Sequence, residues 1–171
     1  MTNNQCEGSA LNNGPPVVAR AYPELTWVAL VTGWFIGAII AVAIGYAALT
    51  AGIFHGLAQS LSYAGIDILG YFPFLKSYYQ GLTAHGVANA LIFTFSFSNG
   101  FLPLMTARAL SKKLVDSLLW GSFGLLALGN LMVIYAVASN KASVLYTSYA
   151  PLQAHWTYYL GLALVVVSTW L

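Results

Sequence analysis

Residues 25–54 hold no Asp, Glu, Lys or Arg. At about 1.5 Å rise per residue, a helix of that length exceeds the roughly 30 Å hydrocarbon core of a bilayer. A run this long and this apolar has few homes other than a membrane. Composition agrees: 59% of the chain is hydrophobic, only 6% is charged, and the mean hydropathy is +0.75. Water-soluble domains carry about 25% charged residues, so this chain folds in a different solvent. The fold class that follows is all-α, a polytopic transmembrane helix bundle.

Three further apolar runs complete the outline. A second span is expected over about 82–104, a third over about 115–138, and a fourth apolar run begins near Trp156. The fourth stops at Leu171, short of the roughly 20 residues a span needs, so the expectation is three full spans and the start of a fourth. The chain then reads as the N-terminal piece of a longer polypeptide. Residues 1–24 are a polar Asn-, Gly- and Pro-rich tail, and residues 25–171 are the transmembrane portion. With the N-terminus cytoplasmic, the inner side holds Arg20, Arg108, Lys112 and Lys113, against Lys76 and Lys141 outside. The positive-inside rule favours that arrangement.

Local signals place the connections. Gly33, Gly37, Ala41 and Gly45 recur every four residues, a small-residue ridge against which a neighbouring helix packs. Residues 55–80 read as a connection, with a short interfacial helix over 55–66 and His55 as a wet loop residue. Tyr71, Phe72, Tyr78 and Tyr79 suit the membrane interface. Pro103 lies near the far end of the second span, and Asp116 sits in the first turn of the third, where the helix dipole favours an anion.

The chemistry is sparse. The four acids, Glu7, Glu24, Asp67 and Asp116, all lie outside the middle of the spans, which gives no support to ion coupling through buried carboxylates. Cys6 is the single cysteine and sits in the tail, so no internal disulfide or cysteine-rich metal site is available. There is no nucleotide loop or catalytic triad, and a net charge of +2 from so few groups does not suggest nucleic acid. Ser, Thr and Asn within the spans read as interhelical hydrogen-bond partners.

One residue stands apart. His85 lies inside the second span, and an imidazole at that depth needs partners for its ring nitrogens. On its helical face are Gly81, Leu82, Ala88 and Asn89, mostly small, which leaves a flat hollow beside the ring. The hollow suits either a second helix or the edge of a flat cofactor. In the first case His85 is hydrogen-bonded between helices. In the second, the Gly81 carbonyl fixes Nδ1–H and Nε2 binds metal or heme iron. Neither His55 nor His155 is expected to supply a second ligand, since His155 belongs with Trp156, Tyr158 and Tyr159 in an interfacial belt.

The blocks SYYQGLTAHGVANALIFTFSF, PLMTARAL and ASVLYTSYAPLQAHWTYYLG, with VARAYPEL before the first span, resemble subunit I of the B-type heme–copper oxygen reductases. These are terminal cytochrome c oxidases of bacteria and archaea, and the resemblance covers roughly residues 17–171. It implies that His85 is an axial ligand of the low-spin heme b, with Gly81 and Gly86 providing room and Asn89 hydrogen-bonding near the heme edge. It places Tyr146 and Tyr149 toward the oxygen path, with no catalytic step assigned. The high-spin heme, the copper and the histidines that hold them, including an HPxxY-like block and a His–His pair, belong to helices beyond Leu171. The intact subunit is then a cytochrome c oxidase of the prokaryotic plasma membrane, coupling oxygen reduction to proton translocation. Its partners are membrane lipid, the remainder of subunit I, oxidase subunit II, a cytochrome c-like donor and oxygen. A fragment of this extent is not expected to be active alone. A nitric oxide reductase-like subunit and a non-enzymatic helix module, in which His85 is polar glue, are the alternatives.

Overall fold

The computed structural model describes residues 34–66, 68–71, 75–110 and 114–171. Among them, helix α1 spans Trp34–Tyr63, α2 spans Tyr78–Gly86 and α3 spans Thr94–Leu110. A π-helical stretch, Val87–Phe93, joins α2 to α3 without a break. Helices α4, Asp116–Ala138, and α5, Trp156–Ser168, follow. No β-strand forms among the described residues, only one isolated antiparallel bridge between Ala142 and Ala154. Three segments, Phe35–Tyr63, Tyr78–Ala107 and Asp116–Ala138, are long and apolar enough to cross a bilayer, and Trp156–Ser168 is a shorter apolar helix. The expected helix bundle is therefore present. Large apolar side chains such as Ile39, Ile53, Leu57, Leu131 and Ile134 point outward and are more than half or about half exposed, as lipid contact requires.

The boundaries differ from the sequence expectation in an instructive way. Helix α1 does not stop near Phe54 but runs on to Tyr63, so His55 is helical and residues 55–63 are no separate interfacial helix. Nothing in HGLAQSLSY breaks a helix. The stop comes where Gly65 takes a φ of +86°, with Ile66 N–H bonding Leu61 carbonyl and Gly65 N–H bonding Ser62 carbonyl. That pair of bonds is the glycine-terminated cap which satisfies the last carbonyls of a helix. Pro103 is accommodated inside α3, which continues to Leu110. The expected tail, residues 1–24, together with Leu25, Gly33, Phe72, Lys112 and Lys113, lies outside the described residues.

Two helix pairs make the bundle. Helix α1 packs along the α2–α3 helix, and α4 packs on α5. Both seams are backbone-close: a Cβ on Gly100 would lie 2.6 Å from the Ala38 carbonyl oxygen. The ridge of small residues in α1 does what its spacing suggested. Gly37 receives the Phe123 ring of α4, Ala41 is buried, and Gly45 lies against the backbone of Phe93 and Phe97. Between the pairs, Asn99 Nδ2 donates to Ser168 Oγ at 2.8 Å, and within the α4–α5 pair Ser122 Oγ donates to the Ser168 carbonyl at 2.6 Å. Asn130 Nδ2 donates to Ser96 Oγ at 3.2 Å. These are the interhelical bonds expected of small polar residues in a membrane bundle.

The loop over residues 139–155 is tied back onto α2. Thr83, fully buried, donates its hydroxyl to the Tyr79 carbonyl and accepts the Leu145 N–H at 2.9 Å. Tyr158 holds the other side of the same residue, donating to the Leu145 carbonyl at 3.1 Å. Leu145 has a φ of 61°, which an apolar side chain seldom adopts unless its surroundings enforce it. Replacing Thr83 by valine keeps the shape and strands the Leu145 N–H, at a cost of about 1–3 kcal/mol. The expected outcome is a lower melting temperature in detergent and faster proteolysis within 139–155.

Candidate functional site

The site is built on the seam between α1 and α2. His85 is in the last turn of α2, just before the π-helical stretch begins. Its ring crosses to α1, where Nδ1 lies 2.7 Å from the Gly52 carbonyl oxygen. A helical carbonyl with a spare lone pair accepts at that distance, so Nδ1 carries the proton. The contact exists because α1 has no side chain at two positions. A Cβ on Gly56 would sit 2.5 Å from His85 Nδ1 and Cε1, and one on Gly52 would collide with the Asn89 amide. Gly52 and Gly56 thus form the slot that seats the imidazole.

This corrects two expectations drawn from the sequence. The partner of Nδ1 is Gly52 across the seam, not Gly81 on the same helix, because the ring is turned outward from α2. Nor do Gly81 and Gly86 leave an open hollow. The Gln59 amide of α1 lies against Gly81, and the Tyr146 ring lies 2.8 Å from where a Gly86 Cβ would be. Gln59 is 3% exposed, and neither its Nε2 nor its Oε1 has a hydrogen-bond partner. Asn89 is drawn to the same centre, with its amide nitrogen 3.2 Å from His85 Nδ1.

The other sequence candidates fall elsewhere. His55 Nδ1 bonds the Ala51 carbonyl of its own helix at 2.7 Å, and its ring meets Phe54 edge-on. His155 caps the N-terminus of α5, where Nδ1 accepts from Thr157, and its ring lies 5.5 Å from Trp156. Tyr146 is half exposed and touches Gly86, next to His85; Tyr149 is more exposed. Among the described residues, no three of His, Cys, Asp and Glu gather as a metal site. A hollow of about 430 Å³ between α3, α4 and α5 is lined by Asn99, Pro103, Ser122 and Ser168, and no residue of 77–93 borders it.

The donor set fits one axial position of a heme and no more. Both described hydrogen bonds of the His85 ring converge on Nδ1, which leaves Nε2 as the nitrogen that can bind iron. Such a ligand is usually fixed through its other nitrogen by a carbonyl or carboxylate, as here. The unsatisfied amide of Gln59 beside Gly81, one turn before His85, is a polar group awaiting a partner on the same seam.

The family model of cytochrome c and quinol oxidase polypeptide I matches residues 18–171. The chain belongs to that family. Cytochrome c oxidase subunit 1 of Thermus thermophilus is 39% identical over 131 residues, covering 74% of this chain and 23% of that protein. A chain of a heme–copper terminal oxidase dimer, solved by cryo-electron microscopy, superposes with a TM-score of 0.73 at 36% identity, covering 78% of this chain and 23% of its own. This oxidase subunit I chain therefore spans about a quarter of the length of the relatives it matches. As members of the heme–copper oxidases, such subunits hold hemes and copper. Reading the sequence found His85 and Asn89 but missed Gly52, Gly56 and Gln59. The signal was there: Gly45, Ala48, Gly52 and Gly56 extend the small-residue ridge, and ending the first span at Phe54 cut off Gly56 and Gln59.

Proposed function

We propose that this chain is part of subunit I of a B-type heme–copper oxygen reductase, and that His85 Nε2 is an axial ligand of its low-spin heme b. The observation that carries the reading is the 2.7 Å bond from His85 Nδ1 to the Gly52 carbonyl, which leaves Nε2 bare. The low-spin heme supplies one-electron transfer. The residues of this chain contribute the fixed tautomer and the ring orientation through the Gly52–Gly56 slot. The intact protein takes electrons from a cytochrome c-like donor, reduces oxygen to water and translocates protons across a prokaryotic plasma membrane. Subunit II and the rest of subunit I complete it, including the second axial histidine, the high-spin heme and the copper. The LYTSYAPLQ block at residues 145–153 and the oxidase-like spacing of the blocks favour the oxygen-reducing branch over a nitric oxide reductase.

Membranes holding the full-length subunit test the function by oxygen uptake with reduced cytochrome c. Turnover of nitric oxide with no oxygen uptake would sink the assignment. A sharper test of the site is Gly56→Ala. By helix propensity alone this exchange favours α1 by up to about 1 kcal/mol, but the new methyl displaces the His85 ring. The expected result is a protein as stable as wild type in its apo form that retains little low-spin heme. Full heme retention would remove the slot from the argument.

A further inference from the structure

Asn89 faces His85 in a way that cannot be chemically complete as drawn. His85 Nδ1 already needs its proton for the Gly52 carbonyl, 2.7 Å away. The amide nitrogen of Asn89, 3.2 Å from the same Nδ1, would set a second donor against that N–H. Meanwhile Asn89 Oδ1 is buried with no hydrogen-bond partner. A half-turn of the amide interchanges its oxygen and nitrogen at no steric cost, and the hydrogen-bond chemistry decides which way round it sits. Turned so that oxygen faces the ring, Asn89 becomes an acceptor for the Nδ1 proton, which removes the clash of two donors at Nδ1, and its NH2 takes the buried place against Gly52.

We propose that Asn89 is a positioning residue for His85, its side-chain oxygen sharing the Nδ1 proton with the Gly52 carbonyl. The proposal rests on the reading of His85 as an iron ligand. The imidazole is then held by acceptors from two elements, α1 and the π-helical stretch. Two acceptors fix the ring plane as well as the tautomer. They also draw the proton away from the ring, which makes Nε2 a stronger electron donor. Stronger donation favours the oxidised iron and lowers its reduction potential. The placement of Asn89 depends on its position four residues after His85, which puts both side chains on one face of the continuous helix. It depends equally on Gly52, whose missing side chain gives the amide its space.

The test uses the full-length subunit in its native membranes, with Asn89→Leu, Asn89→Asp and His85→Ala compared by reduced-minus-oxidised spectra and redox titration of the low-spin heme. Asn89→Leu is expected to keep the low-spin band, raise its midpoint potential and weaken heme retention by about tenfold, the lower end of the effect of losing a group bonded to a metal ligand. Asn89→Asp, which keeps an oxygen in the same place, is expected to return both values toward wild type. Should Asn89→Leu not accumulate, Asn89→Ala removes the atoms facing Gly52, adds none, and carries the same two readouts. A wild-type potential and wild-type heme retention in the Leu or Ala variant, with the band lost in His85→Ala, overturn the positioning role and leave the ligand standing. A low-spin band unchanged in His85→Ala overturns the ligand and the proposal with it.

Discussion

Replacing His85 by alanine in the full-length subunit is expected to abolish the low-spin heme b band in the reduced-minus-oxidised spectrum, while His55→Ala and His155→Ala should leave it intact. Three histidines are present in this chain, and their surroundings differ in kind. His55 and His155 are satisfied locally, one by the carbonyl four residues earlier in α1 and one by Thr157 at the start of α5. Each could be lost for the modest cost of a surface or capping hydrogen bond, about 1 kcal/mol. His85 instead reaches across to another helix and is seated by two glycines. Its removal deletes the nitrogen that would hold iron, so the loss of heme should exceed the roughly 10–100-fold seen when only a group bonded to a metal ligand is removed. Equal spectra for all three variants would return His85 to a purely structural role.

The second large effect concerns the α4–α5 seam. A Gly129→Leu variant should fail to accumulate or should unfold well below wild type in detergent, whereas Gly124→Ala should be at least as stable as wild type. A Cβ on Gly129 would lie 2.7 Å from the Gly161 carbonyl oxygen and 2.9 Å from the Val165 nitrogen. Those are backbone atoms of a helix, which cannot swing aside as a side-chain tip can. Helices α4 and α5 must separate, at a cost of at least the 1–3 kcal/mol typical of overpacking. Separation also pulls Ser122 from the Ser168 carbonyl and Asn99 from Ser168 Oγ. Within lipid such bonds and close backbone contacts are what hold helices together, because apolar burial adds little there. Gly124 has nothing within 4 Å of its would-be Cβ, so alanine there gains helix propensity, up to about 1 kcal/mol, and loses no contact. Thermal unfolding of the two variants side by side decides it, and matching midpoints would mean that the seam contributes little.

What the sequence determined was the part governed by local rules. Hydropathy sets membrane spans because the bilayer has one thickness, and the apolar runs were long and free of charge. A histidine within such a run stands out for the same reason, since water is not there to satisfy it. The small-residue spacing in α1 announced a packing face. The end of α1 was misjudged because its last turns are less apolar than its first, while a helix ends where its carbonyls find a cap, here at Gly65. Pairings between helices belong to the tertiary structure. Which carbonyl holds His85, which side chain lies over Gly81, and which glycines face one another in α4 and α5 depend on how two cylinders meet. Rotating either helix by one residue would change every one of those contacts and leave the hydropathy profile untouched. The π-helical stretch Val87–Phe93 is likewise invisible in the sequence, where its residues read as ordinary helix formers. Local chemistry thus marked His85, and the meeting of α1 with α2 decided which of its nitrogens is left to bind.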